Sequence, residues 1–441
     1  MIRIENLSVG YEGEEKLFSS LCLTMERKRP VLILSDPGCG KTSLAKALCG
    51  VGTRFYSMNV EGSFSYDSLD LLSLGVPERR SYVARSIQNV DEAVLFPTVS
   101  DEVAFPLEQR MLGRDVIEKE LSSLLERYDL VRYHDADTSE LSGGEKRRLN
   151  LAALDAVAPR LFIYDEAFDD LSSSWRKRLL SIMREKEYVL TLGSHYLKEY
   201  DGFFEEVYEI RDKKLVPYEK KEVFFSFPSP LEGGRHHALS IENVIYSQTH
   251  KAMKEDNVFT LRVSSMTIES GMAYLLEGEN GAGKSTFARL LTGLVDADGG
   301  VISFDSVPIK ARERRRCVSY LFQNPFNQLY LPRVEDELMS VAKDRREVER
   351  TASLFSLELD DYTQELSYGK AKMLQAAIYY ILDRPFVVFD EVDSAISYQD
   401  TMKMLSLFME KGAGVLMISH DERIKSAFKG KAYHMQGGLI R

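Results

Sequence analysis

The stretch Gly278–Thr286, GENGAGKST, follows an apolar run (Ala273, Tyr274, Leu275, Leu276) and precedes apolar residues at helical spacing (Phe287, Leu290, Leu291, Leu294). It matches GxxxxGK[ST] at every constrained position, and strand, glycine loop, helix is the context in which that pattern holds phosphate. Gly281 and Gly283 let the backbone pass close to phosphate with its N–H groups pointing inward. The helix that starts at the loop adds its positive dipole end. Lys284 is expected to reach the β- and γ-phosphates, and the Ser285 hydroxyl to ligate Mg²⁺. Gly278, Asn280, Gly281, Gly283, Lys284, Ser285 and Thr286 are therefore nucleotide-binding candidates.

A second loop of this kind runs from Ser35 to Ser43, SDPGCGKTS, after Val31–Leu34 and before Leu44, Ala45, Ala47 and Leu48. Ser35 stands where the first glycine belongs; Gly38, Gly40, Lys41, Thr42 and Ser43 occupy the remaining binding positions. Two such loops point to a duplication, and the rest of the chain bears it out as a repeat. LSGGEKRRL (Leu141–Leu149) is matched by LSYGKAKML (Leu366–Leu374). Strand 161–164 ends in Asp165-Glu166 and strand 386–389 in Asp390-Glu391; further strands lead to His195 and His420. Ser142 to Asp165 and Ser367 to Asp390 are both 23 positions, and each Asp is 30 positions before its His. The openings IRIENLSVGY and LSIENVIYSQ also correspond.

Alternating short apolar strands and helices predict an α/β fold, each copy a mostly parallel sheet covered on both faces. The charge-rich, helix-periodic segments 107–141 and 333–366 read as a helical lobe inserted into each core. The expected division is 1–211 for one domain, 212–237 for a linker and 238–441 for the second domain. The linker assignment rests on Pro217, Pro228, Pro230, Gly233 and Gly234. Phe224, Phe225 and Phe227 are expected to pack on a neighbouring surface, and His236-His237 to be a solvated pair.

Composition narrows the function. A net charge of −11 over 441 residues argues against general nucleic-acid affinity. The length prior is about three domains. Four scattered cysteines without a CxxC pair form neither a disulfide framework nor a zinc site, which suits a reducing cytoplasm. The opening residues read as a strand, not a signal peptide, and nothing is long and apolar enough to span a bilayer. Any membrane role then runs through a partner.

Taken together, the phosphate loops, LSGGE at Leu141–Glu145, the Asp-Glu pairs and the later His resemble the ATP-binding-cassette (ABC) ATPase family, twice over nearly the whole chain. YLFQNPFNQLYLPRVEDEL (Tyr320–Leu338) and SIQNVDEAVLFPTVSDEVAF (Ser86–Phe105) further resemble the glutamine-loop regions of energy-coupling-factor importer ATPases, through QNPxxQ and VxDE. The family implies a RecA-like core with an antiparallel β edge and an inserted helical subdomain in each copy. It implies ATP and Mg²⁺ as ligands. Asp165 and Asp390 would hold Mg²⁺ through water, with the Thr42 and Ser285 hydroxyls as ligands, and Gln88 and Gln323 would touch Mg²⁺ or the attacking water, since hard cations want oxygen. Glu166 and Glu391 would orient the attacking water. Gln88 and Gln323 would also sense a membrane partner, and His195 and His420 would contact the γ-phosphate. Tyr11 is the adenine-stacking candidate; Gln248 stands at the matching place in the second copy, with Tyr246 two residues earlier.

The family's cassettes pair head to tail, so signature residues Ser142, Gly143 and Gly144, and Ser367 and Gly369, would each face a nucleotide held by the other copy. One composite site then joins GENGAGKST to LSGGE. The other joins SDPGCGKTS to LSYGK, where Tyr368 replaces a glycine and Lys370 the usual Gln or Glu. The expectation is one site that hydrolyses ATP normally and one that turns over poorly. In both copies the Leu-Asp that usually follows the Asp-Glu pair is Leu171-Ser172 or Ile396-Ser397. The implied role is the fused ATPase of an energy-coupling-factor importer, peripheral on the inner face of the cell membrane, with transmembrane coupling and substrate-binding subunits as partners. A soluble tandem cassette acting on ribosomes is the alternative, disfavoured by the short linker and the acidic balance.

Overall fold

Each copy opens with an antiparallel hairpin-like pair whose first strand carries the IEN sequence. In the first copy the strands are β1 (Ile2–Tyr11), β2 (Phe18–Met25), β3 (Val31–Leu34), β4 (Met58–Tyr66), β5 (Leu69–Asp70), β6 (Val83–Arg85), β7 (Leu161–Asp165), β8 (Tyr188–Gly193), β9 (Glu206–Arg211) and β10 (Lys214–Pro217). In the second they are β11 (Ala238–Thr249), β12 (Val258–Glu269), β13 (Ala273–Gly278), β14 (Gly299–Phe304), β15 (Val307–Pro308), β16 (Val318–Leu321), β17 (Phe386–Asp390), β18 (Gly414–Ile418), β19 (Lys431–Gln436) and β20 (Leu439–Ile440). This computed structural model describes residues 1–35, 39–168, 171–219, 236–249, 258–279, 281–394, 396–419, 422–428 and 430–440. It divides into two units, Met1–Lys221 and Glu222–Arg441.

Strand order is the same in both units. The first has an antiparallel sheet β2-β1-β4-β5 and a mainly parallel sheet β10-β9-β3-β8-β7-β6. The second runs β15-β14-β11-β12-β20-β19-β13-β18-β17-β16 as one sheet. The difference is slight: Arg262 pairs with Leu439 to join the halves of the second, while the Ser19 N–H donates to the Lys213 carbonyl at the same seam in the first. The central strands β7 and β17 are buried at every residue, as expected of parallel strands covered on both faces. Apolar residues of β1–β4 and of the helix Lys41–Leu48 close one core, and their counterparts with the helix Lys284–Leu291 close another.

The IEN repeat has a backbone cause. Asn6 (φ 51°) and Asn243 (φ 50°) are left-handed, and the register of β1 and β11 shifts beside them. Asn tolerates that conformation better than most residues. Across the ladder sit Gly62 and Gly300, where an added Cβ would lie 2.5 Å from the Asn6 carbonyl oxygen and 2.3 Å from that of Asn243.

The inserted lobes are helical, as the periodicity predicted. They comprise Val99–Glu108 and Arg114–Arg127 in the first unit, and Val334–Met339 and Arg345–Leu354 in the second. Both lead into the long helices Gly143–Val157 and Tyr368–Leu382. Among the described residues no helix is long and apolar enough to cross a membrane.

The linker is shorter at its start than the Pro and Gly content suggested. Lys214–Pro217 forms β10, an edge strand paired with β9, where Pro217 is tolerated at the strand's last position. His237 likewise belongs to the second unit: its Nδ1 is 2.7 Å from Asp305 and its ring lies against Phe304. Phe224, Phe225 and Phe227 fall outside the described residues.

Gly300→Ala is expected to destabilise the second unit by about 1–3 kcal/mol, through left-handed strain and the Asn243 clash, read as a lowered denaturant midpoint.

Candidate functional site

In the second unit β13 delivers the loop to the helix Lys284–Leu291. Gly278 remains in the ladder opposite Met435 of β19, where an added Cβ would sit 2.3 Å from the Met435 carbonyl oxygen. Gly283 caps the helix at φ 104°, and a Cβ there would meet the Phe259 ring at 2.4 Å. Both positions therefore demand glycine for space as well as conformation. Lys284 is 6% exposed and donates to the carbonyls of Gly278 (2.9 Å) and Glu279 (3.0 Å). Burial pushes its ammonium below the usual range, with Glu391 and Asp390 opposing the shift.

Two carboxylates follow at the end of β17. Asp390 is buried and accepts from Tyr320 (2.5 Å) and Ser285 (3.3 Å). Burial raises its carboxyl above the ordinary range, against those two donors. Glu391 lies in the left-handed region (φ 50°), its N–H extending the ladder to the Ile418 carbonyl at 3.0 Å. Its side chain accepts from Gln323 Nε2 at 2.8 Å. The donor set is all oxygen around a buried carboxylate: Asp390, the Ser285 hydroxyl and the neighbouring Gln323. It fits Mg²⁺.

The first unit repeats this arrangement with differences. Ser35 takes the place of Gly278, and β3 ends one residue earlier, at Leu34, so Ser35 leaves the ladder to β9. Lys41 is buried, donates to the Ser35 carbonyl (2.7 Å) and lies 3.4 Å from Glu166. Glu166 is again left-handed (φ 47°) and accepts from Gln88 and from Ser194 (2.6 Å). Thr42 donates to Gln88 Oε1 at 3.1 Å. Asp165 is fully buried; among the described residues neither carboxylate oxygen accepts a well-formed hydrogen bond, and the nearby Thr42 hydroxyl, Arg85 and Lys41 offset its burial only in part. Burial, then repulsion from Glu166, pushes its carboxyl up to about 6. Where Tyr320 stands in the second unit, the first has Arg85, whose guanidinium is 3.6 Å from Asp165. Tyr11 reaches the loop helix, its hydroxyl 2.9 Å from Ser43 Oγ.

The histidines share a spacing but not a register. Asp165 pairs with Leu192, three positions before His195. Asp390 pairs with Ile418, two positions before His420. His195 is half-buried beyond β8, while His420, Gly38 and Asn280 lie outside the described residues.

The signature helices differ at their starts. Ser142 caps Gly143–Val157 and forms a capping box with Glu145, the Ser142 N–H donating to Glu145 at 2.8 Å. Burial pushes the Glu145 carboxyl up, but hydrogen bonds from Tyr133 and Ser142 prevail and hold it below the usual range. Gly143 has nothing within 4 Å of an added Cβ among the described residues, so its own unit does not require glycine there. Ser367 caps Tyr368–Leu382 through the Lys370 N–H at 3.3 Å, and the Lys370 ammonium turns to Asp361 at 3.4 Å. Ser172 and Ser397, found where Leu-Asp was expected, are N-caps that accept from Trp175 and Asp400. Serine keeps the cap and lacks the charge.

Each glutamine segment carries a pinned loop. Glu102, buried at 7% exposure, accepts from the N–H groups of Leu95 (2.8 Å) and Phe96 (2.9 Å). Glu337 does the same for Tyr330 and Leu331. These are the glutamates of the VxDE pieces, and the residues they hold are outward-facing: Leu95 is 73% and Tyr330 82% exposed. Tyr320, Arg85 and this role of Glu102 and Glu337 escaped sequence reasoning, because strand pairing and loop closure, not spacing, bring them to the site.

A profile described as ABC transporter matches residues 18–169 and 261–394. The putative HMP/thiamine import ATP-binding protein YkoD of Bacillus subtilis is 26% identical over 97% of this chain and 88% of its own length. A putative ABC transporter ATP-binding protein of Treponema denticola is 23% identical over 100% of this chain and 96% of its own. Among solved structures, an archaeal ribosome recycling factor, aABCE1, in complex with ribosomal stalk protein aP1 aligns with a TM-score of 0.63 and 17% identity, covering 96% of this chain and 86% of that one. At that identity the likeness concerns the fold.

Gly278→Ala is expected to cost about 1–3 kcal/mol of stability and weaken ATP binding, whereas Ser35→Ala, which adds no Cβ, is expected to cost less; chemical denaturation and nucleotide titration of the full chain read both.

Proposed function

The chain belongs to the ABC transporter family of ATP-binding ATPases, and on that premise we propose that it is the fused ATPase pair of an energy-coupling-factor importer. The observation that carries this reading is the pinned loop beside each glutamine. A buried carboxylate is committed to holding Leu95 or Tyr330 outward, which serves a docked partner better than it serves the unit's own core. A relative described as an import ATP-binding protein, similar over nearly the whole chain, points the same way. The partners would be integral membrane subunits for coupling and for substrate binding. The chain would lie on the inner face of the membrane, and specificity for cargo would reside in those subunits.

In this reading the copies pair head to tail. The open surroundings of Gly143 support it: a glycine its own unit does not need leaves room for phosphate approaching from elsewhere. Lys284 and the loop amides then hold the phosphates, and Ser142, Gly143 and Gly144 face the γ-phosphate from the other copy. Asp390, Ser285 and Gln323 would hold Mg²⁺, which when bound neutralises charge on the β- and γ-phosphate oxygens. Glu391 would accept the water's hydrogen and aim its lone pair at phosphorus, with Gln323 fixing that carboxylate, and His420 would contact the γ-phosphate. Binding draws the copies together, hydrolysis releases them, and the glutamine segments pass the motion to the membrane subunits.

The two composite sites are proposed to differ. In that pairing Ser35, the Arg85 guanidinium beside Asp165, the shifted His195, Tyr368 and Lys370 would all fall in the site built on Lys41. A cation 3.6 Å from the metal-holding carboxylate competes with Mg²⁺ for it. That site would bind nucleotide and turn over slowly, while the Lys284 site carries hydrolysis.

Glu391→Gln is expected to lower ATPase activity about 100-fold or more, and Glu166→Gln only a few-fold; equal losses in the two variants would overturn the asymmetry. Gentle detergent extraction of the tagged full chain is expected to bring integral membrane proteins with it. Recovery on ribosomes instead would replace the importer reading with a translational one.

A further inference from the structure

Tyr368 occupies the place of Gly143, and its hydroxyl donates to the Gln323 carbonyl at 2.6 Å. The contact gains meaning from what the first unit does at the same spot. There Arg147, five positions past Ser142 and 2% exposed, donates from Nη1 to the Ile87 carbonyl (2.9 Å) and from Nη2 to the Gln88 carbonyl (2.8 Å). One planar fork thus holds two successive carbonyls of the glutamine segment. Five positions past Ser367 the second unit has Lys372, fully buried, whose ammonium donates to the Phe322 carbonyl at 2.6 Å. Phe322 is the counterpart of Ile87. A lysine carries its donors on one nitrogen and does not reproduce the fork. The second carbonyl, that of Gln323, is the one Tyr368 takes. The Tyr368 ring is also oriented by its neighbours, with Phe326 at 6.1 Å and the Lys372 ammonium at 6.0 Å from its centroid.

We propose that Tyr368 and Lys372 together replace the arginine fork, making Tyr368 a positioning residue for Gln323 and, through it, for Glu391. The inference rests on the reading of Gln323 and Glu391 as the pair that handles the attacking water. A tyrosine in the signature of the weaker composite site then acts within its own unit on the stronger one. The substitution that removes a signature glycine from one composite site holds the glutamine segment of the other. Tyr368 therefore does more than remove a glycine, and its replacement by glycine would harm the Lys284 site instead of repairing the Lys41 site alone.

The test is steady-state ATPase kinetics on the full chain, with thermal unfolding as a control for folding. Tyr368→Phe keeps the ring and removes the hydroxyl. The expected result is a kcat lowered about threefold to tenfold, the effect of one hydrogen bond, with KM for ATP changed less than about twofold and the unfolding midpoint nearly constant. Adding Lys372→Arg to Tyr368→Phe supplies a second N–H for the Gln323 carbonyl and is expected to restore kcat to within about twofold of the parent. A Tyr368→Phe chain with parental kcat overturns the proposal, as does a loss that Lys372→Arg fails to rescue. Glu391→Gln run alongside separates the two readings: if it retains activity, the water-handling assignment fails first; if it is inactive while Tyr368→Phe is unchanged, only the fork replacement fails.

Discussion

A charged pair at the end of a wholly apolar strand sets the terms for the rest of this structure. β7 and β17 each run through the core without an exposed residue and end in Asp-Glu. Burial works against the ionised aspartate, so the surrounding chain has to supply donors, cations or a metal. In the second unit Tyr320 and Ser285 do this, and the aspartate is satisfied by neutral donors. In the first, the Arg85 guanidinium stands 3.6 Å from Asp165, which accepts no well-formed hydrogen bond among the described residues. The glutamate that follows is left-handed in both units, a conformation an ordinary side chain adopts only where the surroundings enforce it. That kink turns the carboxylate toward the glutamine segment instead of along the strand.

The glutamine segment is the second fixed point. From one side a glutamate of the lobe pins its apolar loop, and from the other a basic side chain of the signature helix holds its carbonyls. The segment therefore connects three things within a unit: the glutamate at the strand end, the helix that begins with the signature, and a surface of exposed apolar residues. Displacing any one strains hydrogen bonds to the other two. That arrangement suits the proposed role of passing a nucleotide-driven change outward, and it is built from different residues in the two units.

Much of this was legible in the sequence. GENGAGKST announces its strand and helix because glycine, lysine and hydroxyl must recur at fixed spacing for a loop to wrap phosphate. The duplication was legible because the signature, the Asp-Glu pair and the histidine recur together. IEN read as a repeat, but not as a bulge, since the left-handed asparagine is matched by a glycine more than 50 positions away, as Asn6 is by Gly62. Ser35 read as a lost glycine; its effect, ending β3 one residue early, depends on how close β19 comes to Gly278 in the other copy. Tyr368 read only as a lost glycine. Its hydroxyl contact required knowing that Lys372 replaces Arg147 five positions on, and what Arg147 held. The linker was drawn too long because charge and Pro217 conceal an edge strand.

The equal spacing from aspartate to histidine conceals two compensating changes. The second unit has one residue more between Asp390 and the strand position paired with it, and one residue fewer between that position and His420. The equal count therefore hides a one-residue difference on either side of the paired strand position. Anyone grafting a segment of one half into the other would find the phase preserved only if the crossover points lay on the same side of both changes. A chimaera joined inside β8 or β18 would carry its histidine one residue out of place, on the opposite face of the extended chain, with every motif in the sequence still looking intact.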